Sequence, residues 1–359
     1  MTTKIDPYSN ELIKDYNKVV EDFGLEELDL SLFPNPNRVM RRNVVFCGQD
    51  LKVISEAIKH KKPFYALTGI MPSSEKIHFG TKVVIEMMKY FQDNGGECYV
   101  LIADLESSAT RNISLEEARR IALEFHIPAY IALGLDPKKT KFYFQSENMS
   151  VIGIAFDAAR KITLNEFRAA YGSAEPSRIL SSVTQIGDML YPQLKKRMPG
   201  IIPVGIDQSP HIRIGRDYVR RAKKYNLFSA IYNKFMPSLD GHYKMSKSRP
   251  EGAIEIPEET NSVCKKIRRA LSGAPKTLEE HKKNGADPDK DMAFELLKQH
   301  LIEDDRELKR IHDDYESGKM TTKELKDMAC EKMTEFMSEF NKKFKEAQKE
   351  VKKIEFLKS

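Results

Sequence analysis

From Lys62 onward the chain alternates short, uninterrupted apolar runs with longer stretches in which apolar residues recur every three or four positions. The runs at 64–68, 98–102, 141–144 and 202–206 predict buried strands, and the periodic stretches at 80–94, 115–133 and 213–225 predict helices. Strands alternating with helices predict a parallel α/β sheet, with ligands expected at the carboxyl ends of the strands. The middle helix opens on Ser114 with Glu117 three residues later, the spacing of a capping box.

Ahead of this region lie a helical period at 7–23, the turn-rich Phe33-Pro34-Asn35-Pro36-Asn37, an apolar segment at 43–46 and a helix at 51–58. Together they predict an N-terminal extension, 1–61, that packs on or covers a nucleotide-binding domain at 62–255. Beyond it the pattern is almost wholly helical: 261–271, a break at Gly273-Ala274-Pro275, a polar connection over 278–290, then helices at 293–302, 307–315 and 321–344 with a basic end at 342–353. Residues 256–359 are therefore expected to form an α-helical C-terminal domain.

At 359 residues the chain can bury a substantial core and hold two or three domains. It has no run of about 18 apolar residues, and Met1-Thr2-Thr3-Lys4-Ile5-Asp6 lacks the apolar stretch of a signal peptide. The expectation is a cytoplasmic protein with no membrane contact. Cys47, Cys98, Cys264 and Cys330 are too scattered for a zinc or iron–sulfur site, which predicts reduced thiols in or near cores and no protein-held metal. A net charge of +6 permits nucleic-acid binding without requiring it.

The chemistry collects where strands should end. Thr68-Gly69 leads through a turn to His78-Phe79-Gly80 and a helix, an arrangement that offers backbone N–H groups and a helix dipole to phosphate; GxxxxGK[ST] is absent. Asp104 and Glu106 follow the second strand, where they either receive a substrate amino group or cap a loop. Asp207 and Gln208 follow the fourth strand; Ser209-Pro210 there suits a helix N-cap and first turn, while the acid and amide at the sheet mouth point to a ligand. Gln185 and Asp188, three apart on a helix among apolar neighbours, line either a half-buried pocket or an exposed face. Tyr243-Lys244-Met245-Ser246-Lys247-Ser248-Arg249 sets two lysines and two serines after a glycine turn, a donor set suited to a triphosphate.

Taken together, His78-Phe79-Gly80, the Lys244–Ser248 string KMSKS, Asp207-Gln208 with Pro210-His211, and Thr184-Gln185-Ile186-Gly187-Asp188 resemble the class I aminoacyl-tRNA synthetases. The similarity is to the tryptophanyl enzymes in their archaeal form, from near Pro63 to the C-terminus; tyrosyl-type synthetases are the nearest rival, and a non-charging ATP- and RNA-binding paralogue is the alternative of another kind. The resemblance implies a Rossmann-like catalytic domain, ATP as substrate with Mg2+, L-tryptophan and tRNA(Trp) as partners, a homodimer, and anticodon reading by the helical domain. It assigns His78, Lys244 and Lys247 to catalysis, and Thr68, Gly69, His78, Gly80, Asp207, Lys244, Met245, Ser246, Lys247 and Ser248 to the nucleotide. Glu106, Gln185 and Gln208 would surround the substrate amino group. Leu67 and Leu101 stand where eukaryotic members carry the Tyr and Gln that grip the indole nitrogen, so Asp188, aligned with an Asp of the bacterial members, becomes the expected acceptor. Thr81 also departs, replacing a usual His or Asn.

Overall fold

The computed structural model describes residues 15–245 and 249–359. Ser246, Lys247 and Ser248, and the part of the first expected helix before Asp15, lie outside the described residues.

The strands, in chain order, are β1 (Glu26–Glu27), β2 (Val45–Gln49), β3 (Tyr65–Ile70), β4 (Ile77–His78), β5 (Glu97–Ile102), β6 (Thr140–Phe144), β7 (Gly200–Gly205), β8 (Ser229–Asn233) and β9 (Glu255–Ile256). Seven make one sheet in the order β1-β2-β8-β7-β3-β5-β6, and β4 pairs with β9 in a small separate ribbon. The five from β8 to β6 are parallel, while β2 and β1 run antiparallel at one edge. The chain builds outward from β3 through β5 to β6, then returns to lay β7 and β8 on the other side of β3. That reversal opens a crevice between the carboxyl ends of β3 and β7, as in Rossmann-like sheets.

The four expected strands are all present, because β3, β5, β6 and β7 are buried on both faces and so read as continuous apolar runs. β8 was not expected; its Ser229 and Asn233 interrupt the apolar signal, although both are buried in the sheet. The expected N-terminal extension is part of the sheet itself, since β2 pairs with β8.

Among the helices, Gly80–Asp93 follows the expectation within a residue. The helix expected at 115–133 is helical from Leu115 to Ala132 but widens to a π turn at Ala122–His126. Its capping box is only half made: Ser114 accepts the Glu117 N–H at 3.1 Å, while the Glu117 carboxylate turns to Arg120. Ser209 is not an N-cap; its backbone is already helical and it opens the helix Ser209–Ala222. The 278–290 connection contains a helix, Leu278–Asn284, capped by Thr277 accepting from the Glu280 N–H at 3.2 Å. Helix Met149–Ala159 was missed for a physical reason: it carries apolar residues on its exposed side as well as its buried one, Met149 and Phe156 facing outward, and the period vanishes.

The C-terminal half centres on the 30-residue helix Thr322–Val351, opened by a complete capping box between Thr321 and Glu324. Its stripe Leu325, Ala329, Met333, Met337, Phe340 and Phe344 is buried and joins the same core as Phe64, Phe91 and Phe142 under the sheet. The four cysteines are buried and free. Among the described residues no helix is long and apolar enough to cross a membrane.

Candidate functional site

One side of the crevice is built from residues that are neighbours in sequence. Near its end β3 carries buried Thr68 and exposed Gly69, followed by buried Ile70. β4 then brings His78 to the start of helix Gly80–Asp93, held by β9 through the pairings Ile77 with Ile256 and His78 with Glu255. Gly80 suits the close approach there, because a Cβ would lie 3.0 Å from the His78 ring. Between them, Phe79 is fully buried, its ring 4.5 Å from His300 and 5.1 Å from Phe336 of the helical region. Phe79 thus pins the junction while His78 and Gly80 stay at the surface of the crevice.

Lys244 lies across from this junction. Its Nζ is 2.9 Å from Asp207 Oδ2 and 4.7 Å from the centre of the Phe235 ring. Asp207 sits on the 3₁₀ turn Ile206–Gln208 directly after β7, so the lysine is anchored over the carboxyl end of the strand beside β3. Met245 was expected on the nucleotide, but its side chain is turned inward at 2% exposure; its N–H donates to the Met236 carbonyl at 2.7 Å and its Sδ accepts the Ile254 N–H. Only its backbone remains for a ligand. Gln208 is half-buried beside Asp207.

The other side is assembled from distant segments. Asp188, on helix Pro176–Leu190, is fully buried, accepting from the Tyr143 hydroxyl at 3.0 Å and from Gln145 Nε2 at 2.6 Å. Burial pushes its carboxyl up to about 8, against the pull of these two donors. The helix face expected to be either a half-buried pocket or an exposed surface is thus not exposed: Asp188 is buried and Gln185 half-buried. Gln185, one turn earlier, donates from Nε2 to both oxygens of Glu106 at 3.1 and 3.3 Å, and burial raises the Glu106 carboxyl. Asp104 takes the structural option left open for it: it accepts from the N–H groups of Leu105 and Ser146 and from the Ser146 hydroxyl. Gly187 lets helix Met149–Ala159 close on this site, since a Cβ would fall 2.3 Å from the Val151 carbonyl oxygen. Leu67 and Leu101, on β3 and β5, are buried in one cluster with Tyr99, Tyr143 and Tyr191, so the sheet face beneath Asp188 is apolar.

The family model described as tRNA synthetases class I (W and Y) matches residues 59–338, a span containing every side chain just described. The tryptophan–tRNA ligase of Methanocaldococcus jannaschii is 38% identical over 346 residues, covering 93% of both chains. The chain belongs to this family of class I synthetases, among the tryptophan–tRNA ligases. The crystal structure of the tryptophanyl-tRNA synthetase of Aeropyrum pernix superposes with a TM-score of 0.90 at 36% identity, covering 98% of each chain. That of Encephalitozoon cuniculi, bound to tryptophan, gives 0.86 at 27% identity, over 96% of this chain and 98% of its own.

Within the synthetase fold, Tyr143 and Gln145 are not among the residues expected from the sequence. A signal for them existed: they sit two apart on or just past β6, hence on one face, and Gln145 is a polar residue at a strand's carboxyl end like Asp207. The buried contact of the Tyr171 hydroxyl with His211 Nδ1 at 2.8 Å is likewise unexpected; burial there lowers the imidazole to about 4 and keeps it neutral. Thr81 lies half-buried in the first turn of the helix after Gly80.

Proposed function

We propose that this tryptophan–tRNA ligase recognises the indole N–H of its amino acid through Asp188 and activates it with ATP in the crevice between β3 and β7. In the first step the tryptophan carboxylate attacks the α-phosphorus of ATP, the bond to the β-phosphate oxygen breaks, and pyrophosphate leaves. In the second, a hydroxyl of the terminal adenosine of tRNA(Trp) takes the acyl group and AMP departs. No protein nucleophile is needed because the attacking carboxylate is already ionised, so the chain contributes alignment and charge.

Thr68, Gly69, His78 and Gly80 offer backbone and imidazole donors at a helix start. Lys244 supplies a positive charge on one flank, and Lys247, with Ser246 and Ser248, is assigned the same task from sequence. Mg2+, carried by the nucleotide, would share the charge of the leaving pyrophosphate. Glu106, Gln185 and Gln208 are assigned to the substrate ammonium, for which the linked Glu106 carboxylate and Gln185 amide form one polar wall.

The observation that carries the reading is the buried Asp188 carboxylate above an apolar sheet face. When ionised the carboxyl offers about four acceptor positions, and Tyr143 and Gln145 occupy two, leaving capacity for a third donor. Indole N–H is a donor only, and a phenylalanine side chain would leave the acceptor unpaired, a difference that supports discrimination of roughly 10⁴–10⁵ without editing. Tryptophan-dependent pyrophosphate exchange by Asp188→Ala tests it: the KM for tryptophan should rise while that for ATP holds, and unchanged exchange kinetics would sink the assignment.

The helical residues 256–359 are proposed to read the anticodon, with 62–255 carrying the chemistry. The outward Met149, Phe156 and Leu180, the second of them 71% exposed on helix Met149–Ala159, favour a homodimer. Four unpaired cysteines favour a cytoplasmic setting.

A further inference from the structure

Past helix Thr322–Val351 the chain turns back to the outer edge of the sheet. Phe356 forms a parallel bridge with Phe142 of β6, and the Leu357 N–H donates to the Phe142 carbonyl at 2.8 Å. The side chains divide across the sheet as those of a strand do. Phe356 packs its ring 6.4 Å from Phe142 and 5.2 Å from Phe144, and Leu357 joins the opposite cluster containing Leu67, Leu101 and Tyr143.

Ser359 then meets the start of helix Met149–Ala159. Its carbonyl accepts the Met149 N–H at 2.8 Å, its Oγ accepts the Ser150 N–H at 3.2 Å, and its hydroxyl donates at 2.6 Å to Oδ1 of Asn148, the N-cap residue. Lys358 pairs with Glu147 at 3.3 Å. These contacts satisfy N–H groups that a helix start leaves without partners.

Both elements held in this way border Asp188. β6 supplies Tyr143 and, just past its end, Gln145. Helix Met149–Ala159 presses the Val151 carbonyl against Gly187, the residue before Asp188. We propose that Phe356, Leu357 and Ser359 are positioning residues for the tryptophan pocket, holding β6 and the start of helix Met149–Ala159 so that Tyr143, Gln145 and Gly187 fix the Asp188 acceptor. The inference rests on the reading of Asp188 as the indole acceptor. Because these residues continue from helix Thr322–Val351, the same contacts tie the helical region to amino-acid selection.

The test uses the full chain with Phe356→Ala, Leu357→Pro, which removes the edge N–H, and Phe356→Leu as the conservative change. Pyrophosphate exchange gives KM for tryptophan, KM for ATP and kcat, alongside thermal midpoints. The first two variants should raise the tryptophan KM on the order of tenfold while the ATP KM stays within about twofold, with Phe356→Leu restoring most of the loss. Unchanged constants, or losses shared equally by both substrates and tracking the thermal midpoint, overturn the proposal. Asp188→Ala run in parallel separates the two readings. A raised tryptophan KM there with none in the Phe356 and Leu357 variants removes only the positioning role, whereas no rise in Asp188→Ala removes the pocket assignment itself.

Discussion

The two walls of the crevice are built on opposite plans. The wall proposed for the nucleotide is local: Thr68, Gly69, His78 and Gly80 fall within thirteen residues, and among the described residues Lys244 is held by Asp207 and Phe235. The wall proposed for the amino acid is collective, since Asp188 takes its donors from β6 and its close packing from Gly187 and Val151, and Tyr143 belongs to the buried cluster of Leu67 and Leu101. A local site can be damaged one charge at a time. A collective one responds to changes in residues that touch no substrate.

The sharpest way to break this contrast is Lys244→Ala. Losing a charge aimed at the leaving phosphates should slow single-turnover adenylate formation about a hundredfold and leave tryptophan binding near normal. An equal loss of tryptophan affinity would show that the walls are not separate. Asp188→Ala comes next, with a rise of roughly 10- to 100-fold in the tryptophan KM, because the buried Tyr143 and Gln145 donors lose their acceptor along with the indole.

Gly187→Ala probes the collective plan without touching a polar group. The added carbon meets the Val151 carbonyl, so thermal or denaturant unfolding should show a loss of about 1–3 kcal/mol, accompanied by weaker tryptophan binding and an intact ATP KM. A variant as stable and as selective as the parent would argue that the two helices need not close.

The smallest effect is on pH. The indole N–H favours the charged form of Asp188, whose carboxyl is raised to about 8 by burial, so the tryptophan KM should fall several-fold as pH rises from about 7 to 8.5. Stability runs the other way. A folded-state value above the unfolded one means the neutral acid's contribution is complete in acid and is lost as pH rises through about 8, so the empty protein's thermal midpoint should decline across that window. Asp188→Asn should flatten both trends, and a parent KM that is flat over the same range would exclude titration of this group.

The same contrast explains what could be read in the sequence. Gly69, His78, Gly80 and the lysine string stand out in the sequence because the roles expected of them depend on residues a few positions away. Asp188 is singled out only by resemblance, since its spacing from Gln185 fits a surface as well as an interior. Tyr143 looked like ordinary strand filling, because nothing near it in the chain shows that a carboxylate 45 residues on would need its hydroxyl. β8 and helix Met149–Ala159 were hidden by buried polar residues in one case and exposed apolar ones in the other, both reversals of the pattern that periodicity relies on. Met245 reads as part of a polar loop, and only the packed neighbours Met236 and Ile254 reveal that it faces inward.

Among the described residues, both rims of the sheet are blunted. At one margin β1 is a two-residue stub against β2, and at the other the Phe356 bridge occupies part of β6. A seven-stranded array this apolar would otherwise offer its unpaired amides as a template for other chains, so shortening one border and covering the other guards against stacking into aggregates at the high concentrations of a crowded cell.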